Sequence, residues 1–185
     1  MIYSGTINNS MLSGAIEMMR VDPSEKNHNL VLGEILKARF LCPVLLSKAP
    51  LIDKDGNPVL QDGCEVQYQM LQNASGEPYM IAFTNQQQFE NWQKRRTVST
   101  DSCYEFIMEF SEYIDIIIRP LLNGGKTQVM GVVIDPFGCN LKVDRDMIAN
   151  LVIRRMQMAD YETSLQAEKE RLEAENPQNA EEAQN

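Results

Sequence analysis

The chain has 185 residues, 43% of them hydrophobic, which is enough to bury a core of single-domain size and too many for disorder over most of the length. Its formal charge of −9 is unevenly placed: from Asp160 to Asn185 eight acidic residues stand against Lys169 and Arg171, so the body is nearly neutral and the tail acidic. Without a basic face to neutralise several phosphates, nucleic-acid binding is not expected. No apolar run approaches the ~20 residues that span a bilayer, so no membrane contact is expected either.

The four cysteines, Cys42, Cys64, Cys103 and Cys139, form no C-x-x-C pair. They read as reduced thiols of a cytoplasmic protein. Residues 1 to 23 contain Asn9, Ser10, Glu17 and Asp22 and no apolar h-region, so no signal peptide is expected.

In chain order, Ser10 is placed to cap a short helix carrying Met11, Leu12, Ile16, Met18 and Met19, ended by Pro23. This segment, residues 1–26, is expected to be a loosely packed terminus whose methionines suit an adaptable contact. A second helix is expected over about Asn29 to Ala38, with a stripe built on Leu30, Ile35 and Ala38. Phe40 to Ser47 reads as a strand, and Pro43 within it suggests an edge position or a bulge. Asp53-Lys54-Asp55-Gly56-Asn57-Pro58 is a turn cluster. Residues 65 to 84 read as a hairpin: an alternating strand with Val66, Tyr68 and Met70 on one face, a turn at Asn73-Ala74-Ser75-Gly76, and a partner strand from Pro78 to Phe83.

Thr84 or Asn85 then caps a helix whose buried face holds Phe89 and Trp92, with Lys94, Arg95 and Arg96 at its C-terminal end. Ser99, Thr100 and Asp101 are placed to cap another helix. Cys103, Ile107, Phe110, Ile114, Ile117 and Leu121 recur at 3–4 spacing and predict a helical seam. Ile116-Ile117-Ile118 also fits a strand, but the helical reading is favoured. Pro120 kinks or ends this helix, and Asn123-Gly124-Gly125 terminates it.

Val129 to Ile134 is rich in β-branched residues and predicts an interior strand, around which the chain is organised. Pro136 and Gly138 stop it at Asp135. Leu141 and Val143 lead into a long helix capped by Asp144, with Met147, Ile148, Leu151, Val152 and Met156 as its stripe. Beyond Ala159 the stripe thins into an acidic helical extension that Pro177 ends, and the last residues are expected to be disordered. The organisation is thus an N-terminal segment 1–26, a domain 27–158 and an extension 159–185. The fold class is α+β: a single domain with a mixed or antiparallel sheet of about four or five strands packed with helices, plus a long charged C-terminal helix.

Motifs that could carry chemistry are few. Gly125-Lys126-Thr127 looks like the end of a phosphate-binding loop. The full pattern needs a glycine where Pro120 stands and a strand before it, so it reads as a connector. Asp53-Lys54-Asp55-Gly56-Asn57 resembles the start of a calcium loop, but Gly56 is at the fourth position and Cys64 at the twelfth, and a hairpin turn is favoured. One histidine, His28, and four scattered thiols make no metal set and no catalytic set, so neither a metal nor any other cofactor is expected. Asp135 is the acid of most interest, at the end of a buried strand beside a tight turn. Either its carboxylate caps the turn Pro136-Phe137-Gly138 by accepting backbone N–H bonds, or it lines a ligand pocket with Thr84, Phe137 and Cys139.

A helix leading into Ala38-Arg39-Phe40-Leu41-Cys42-Pro43-Val44, a strand ending Ile81-Ala82-Phe83-Thr84-Asn85 before Phe89 and Trp92, and a late strand ending Val133-Ile134-Asp135-Pro136-Phe137-Gly138 together resemble the SseB N-terminal-domain family, named for enhanced serine sensitivity. The resemblance covers about residues 27 to 155. It departs where the family's usual Asn is Asp135, where Ser102 to Lys126 is longer, and where a charged helix follows instead of a second domain. It implies a small cytosolic bacterial α+β domain with no established catalytic residues, and a link to serine by name only. The expectation is a non-catalytic domain that binds a protein partner or forms a homo-oligomer. The alternative is a small-molecule sensor or enzyme with a pocket near Asp135, and a secretion-system chaperone is a third reading.

Overall fold

The computed structural model describes residues 7–95 and 103–153, with Thr163, Ser164 and Gln166. The chain divides into two compact units, residues 1–148 and 149–185. Of the second, the described residues 149–153, 163, 164 and 166 are all helical. Apart from Thr163, Ser164 and Gln166, the expected charged extension and tail lie outside the described residues, as do the cap at Ser99–Asp101 and Met156.

Two helices open the first unit, α1 (Ser10–Val21) and α2 (Glu25–Ile35). α1 is docked rather than loosely packed: Leu12, Ala15 and Ile16 are buried. Asn9, not Ser10, occupies the cap position, and its side chain is used elsewhere, as described below. α2 begins four residues before the expected start, at the helix-compatible Glu25 behind Ser24. The buried Asn27 explains this early start, because its amide donates to the carbonyl and the carboxylate of Asp22 and ties the α1–α2 connection to the helix. His28 is exposed.

β1 (Arg39–Leu46) is the hub of the sheets. It pairs antiparallel with β7 (Cys103–Glu109) on one side and with β4 (Val66–Tyr68) on the other, so it is not an edge strand. Pro43 is accommodated differently. Leu41 exchanges both backbone bonds with Phe83, and the Pro43 carbonyl accepts from Gln69 N–H on the same side. Its missing N–H therefore falls in the seam between two pairings, where no ladder bond is lost. The hairpin strand splits at Gln69: β4 stays on β1, while β5 (Met70–Gln72) moves to β6 (Pro78–Ala82). The exposed strands β2 (Leu51–Ile52) and β3 (Pro58–Val59) form a separate two-stranded ribbon closed by the turn at 53–57.

β8 (Gly131–Ile134) is an interior strand as its composition demands. It runs parallel to β6 and antiparallel to β9 (Leu141–Asp144), in the order β5-β6-β8-β9. Gly131 is required there, because at φ +150° any Cβ would collide with the Val143 carbonyl. Leu141 and Val143 are therefore strand residues before the chain turns helical at 145. The α+β class follows, with one mixed and one antiparallel sheet joined through the Leu41–Phe83 bridge.

The helical seam expected from Cys103 is corrected in its first half. Cys103–Glu109 is β7, and only Phe110–Ile117 is helical, as α4. Both faces of β7 are covered, burying Phe106, Ile107 and Met108 in a row, so its apolar residues lose the alternation that marks a half-exposed strand. The boundary is marked by a capping box of Glu109 and Glu112, with Glu109 N–H donating to Glu112 at 2.7 Å. Ile116–Ile118 continues the helical path, and α4 passes at Pro120 into the single turn α5 (Arg119–Leu122).

β1 sends alternate residues to two cores. Leu41 joins Ile81, Phe83, Phe89, Trp92 and Ile107, where α3 (Gln86–Arg95) places Phe89 and Trp92 5.5 Å from the Phe83 ring. Phe40 instead meets Phe110 and Tyr113 of α4 at 6.2 and 6.1 Å. Such edge-on aromatic packing adds about 0.5–1.5 kcal/mol per pair beyond the area buried.

Candidate functional site

Parallel pairing brings the carboxyl ends of β6 and β8 side by side. Ala82 is opposite Ile134, and Asp135 N–H donates to the Ala82 carbonyl. The residues just beyond, Thr84 and Asp135, therefore meet in space although 51 positions separate them. This is the end of a parallel strand pair at which a crevice is expected.

Both residues are buried. Thr84 N–H donates to Asp135 Oδ1 at 2.9 Å, and the Thr84 hydroxyl donates to Oδ2 at 2.6 Å. Burial pushes the Asp135 carboxyl above the usual carboxylate range, and the two Thr84 bonds pull it part of the way back. Asp135 is in the left-handed region at φ 47°, which aspartate tolerates better than most residues. The turn after it is closed by its main chain, since the Asp135 carbonyl accepts from both Gly138 and Asn140 N–H. The side chain is thus not the cap of its own turn: it ties β8 to β6.

Cys139 completes the floor. Its thiol lies 3.5 Å from the Ile134 carbonyl and 3.9 Å from Asp135 Oδ2. Burial and then the Asp135 charge push this thiol up to about 11, so it is protonated at neutral pH.

Asn9 holds the opposite wall. Its amide donates to the carbonyls of Arg39 and Thr84 at 2.7 and 2.9 Å, and its Oδ1 accepts from Arg39 N–H at 3.4 Å. One side chain therefore fixes the start of α1 to β1 and to the end of β6. Between α1 and the strand ends lies a cleft of ≈ 250 Å³. Ser13, Ile16, Glu17 and Arg20 form one wall, and Thr84, Asn85, Gln88, Asp135, Gly138 and Cys139 the other. Glu17 and Arg20 are paired at 3.0 Å on its rim. Asn85 caps α3 by accepting from Gln88 N–H and also donates to the Thr84 hydroxyl.

Of the four residues singled out in the sequence, Thr84, Asp135 and Cys139 come together. Phe137 does not line the cleft. It is half-exposed, and the Arg95 guanidinium lies 5.0 Å from its ring centre. The α1 wall and Gln88 were missed. The signal for the former was the polar stripe Ser13, Glu17, Arg20, beside Ile16 at helical spacing, which a terminus assumed to be loose concealed.

The turn at 53–57 uses its acid locally: Asp53 Oδ1 accepts from Asp55 and Asn57 N–H. Among the described residues no group of three or more acidic, histidine or cysteine side chains is placed to hold a metal ion, and no helix is long and apolar enough to cross a membrane.

The family model of the SseB protein N-terminal domain matches residues 12–150, a span that includes every residue lining the cleft. No curated protein and no solved structure matches the chain.

Proposed function

We propose, for a chain that belongs to the SseB N-terminal domain family, that this is a non-catalytic cytosolic domain which binds a protein partner through α1 and the cleft beside it. The observation that carries this reading is the condition of the groups on the cleft floor. Both Asp135 oxygens accept bonds from Thr84, and the Cys139 thiol is pushed up to about 11. A cysteine nucleophile needs thiolate near neutral pH. The Asp135–Thr84 bonds hold the strand ends together and the thiol stays protonated, while the rim offers exposed polar side chains to a visitor.

The size of the cleft fits a side chain of a protein partner. Its ≈ 250 Å³ falls below the ~300–1,000 Å³ of pockets that enclose drug-sized ligands, and it suits one side chain or a short piece of main chain. Met11, Met18 and Val21 stand exposed on α1, adding flexible apolar area for contact. Cys42, Cys64, Cys103 and Cys139 are thiols rather than disulfides, which supports a reducing, cytosolic setting.

The test is site-specific photo-crosslinking in cells of the source organism. A photoreactive residue at position 20 is expected to give a discrete adduct that is absent when it is placed at position 54, on the β2–β3 turn. Equal adducts at both positions, or none at 20, would overturn the reading. An adduct of twice the chain mass would make the partner a second copy.

A small-molecule sensor is the second reading, favoured by the buried Thr84–Asp135 floor. A ligand at a hundredfold excess over its dissociation constant stabilises by about 2.7 kcal/mol. A metabolite screen by thermal shift would then give a hit under this reading and none under the first.

A further inference from the structure

On the reading that a protein partner enters this cleft, we infer that what it inserts is a lysine side chain, with the ammonium against the Asp135 carboxylate on the floor. Asp135 is 4% exposed, and among the described residues no lysine or arginine forms an ion pair with it. The two Thr84 bonds favour its ionised form against burial, and no cation is among the groups that act on it. A carboxylate withdrawn from water is ordinarily matched by a cation. This one is held by neutral donors alone, and it lines a cavity.

The other charges of the cleft do not supply that cation. Its lining holds two acids, Glu17 and Asp135, against the one base Arg20, so its balance is negative. Glu17 and Arg20 pair with each other on the rim and are each about two-thirds exposed, where water screens them. The Arg20 charge is the weakest of the influences on Cys139 and is not among those on Asp135.

The bonds that Asp135 already makes select the kind of cation. Each carboxylate oxygen has two lone pairs, and each takes one bond from Thr84. Oδ2 has besides this only the Cys139 thiol, at 3.9 Å, a weak donor. Acceptor capacity is therefore left on both oxygens. The two strong donors belong to one residue and so approach the carboxylate from one side, bridging its oxygens as the fork of a guanidinium would. With that side taken, the remaining lone pairs suit a point charge with rotatable donors, the lysine ammonium. The cleft of ≈ 250 Å³ has room for one such chain, and the buried Ile16 of the α1 wall offers apolar surface to its four-carbon stem.

The experiment is an NMR titration of the ¹⁵N-labelled full chain at neutral pH with three end-blocked tripeptides: Gly-Lys-Gly, the same peptide acetylated on the lysine Nζ, and Gly-Arg-Gly. The lysine peptide is expected to shift the Thr84, Asn85 and Cys139 amides in a saturating way. The acetylated peptide should bind at least about tenfold more weakly, the scale of one lost charge-assisted hydrogen bond, and the arginine peptide more weakly than lysine. Asp135→Asn, which keeps the shape and removes the charge, should bring the lysine peptide down to the level of the acetylated one. The comparison of the two lysine peptides needs no variant, so the test holds even if Asp135→Asn fails to fold. Equal binding of the acetylated peptide, arginine binding as tight as lysine, a lysine response that survives Asp135→Asn, or no saturating shifts at these amides would each overturn the inference. The partner reading stands or falls separately, on the adduct from position 20.

Discussion

Two aspartates end strands at tight turns in this chain, and they do opposite things. Asp53 is on the exposed β2–β3 ribbon and spends its carboxylate on its own loop, accepting from Asp55 and Asn57 N–H. Those backbone bonds, the Asn57 bond foremost, hold its carboxyl below the usual range. Asp135 is buried at the end of β8. It leaves its turn to its own carbonyl and sends its carboxylate across to Thr84, and burial raises its pKa. The difference lies in what surrounds the turn. In an exposed ribbon, the nearest donors are local N–H groups. Where a parallel neighbour ends at the same level, a buried Thr N–H and hydroxyl compete for the same oxygens and win, because leaving them unpaired in the interior costs about 1–3 kcal/mol each.

Substitutions at the buried corner should show the largest effect. Asp135→Ala removes two buried bonds, strands the Thr84 donors and places alanine at φ 47°. We expect a loss of about 3 kcal/mol or more, read as a melting-temperature drop on the order of 10 °C. Asp135→Asn should recover much of this, since asparagine tolerates the backbone and can still accept from Thr84 N–H. A drop under 2 °C for the alanine variant would dissolve the contrast between the two turns. Thr84→Val keeps the backbone bond and removes only the hydroxyl donor, at an expected cost of about 2 kcal/mol. In a double variant the two losses should fall well short of adding, because they share one interaction. Strict additivity in denaturant titrations would mean the 2.6 Å contact carries no energy.

The same contrast explains what was legible in the sequence. The Asp53 turn could be read from five consecutive residues, and the β8 strand from its β-branched run, because each signal is local. The pairing of Thr84 with Asp135 was within reach only as two strand ends, since the parallel register that joins them depends on everything between. The α1 wall was lost because its docking rests on Asn9 reaching Arg39 and Thr84, and a single amide before a helix reads as an ordinary cap. β7 was misread because a strand buried on both faces does not alternate, and its apolar residues happen to fit helical spacing as well.

Asn9→Ala tests whether the corner depends on that one side chain. Two carbonyls lose their donor, and α1 loses its tether. The expected cost is about 1–1.5 kcal/mol, with faster amide exchange over residues 10–21 and no change at α3. Unchanged exchange in α1 would show that Leu12, Ala15 and Ile16 hold the helix without it. Asp53→Ala should move the melting temperature least of these, and what it does lose has a definite pH sign. With the folded pKa lowered, the contribution is present at neutral pH and disappears as pH falls through the folded value.

Glu105 sharpens the comparison from a third side, as a carboxylate with neither a turn nor a strand end to serve. It is on β7, with Oε2 buried and without a hydrogen-bond partner among the described residues. Burial raises its pKa, a bond with Gln86 of α3 partly offsets this, and the nearby Glu90 adds to the rise. A raised carboxyl binds its proton more tightly in the folded chain than in the unfolded one. Stability should therefore fall as pH rises from the unfolded pKa through the folded one, and the penalty is complete above the folded value. Glu105→Gln removes the charge and keeps the shape. We expect a small gain in melting temperature at pH 7 that vanishes on acidification through the carboxylate range, the reverse of the pH course at Asp53→Ala. A loss at pH 7 would mean that the ionised Glu105 is stabilised by its surroundings, and that burial is not what distinguishes the acids of this fold.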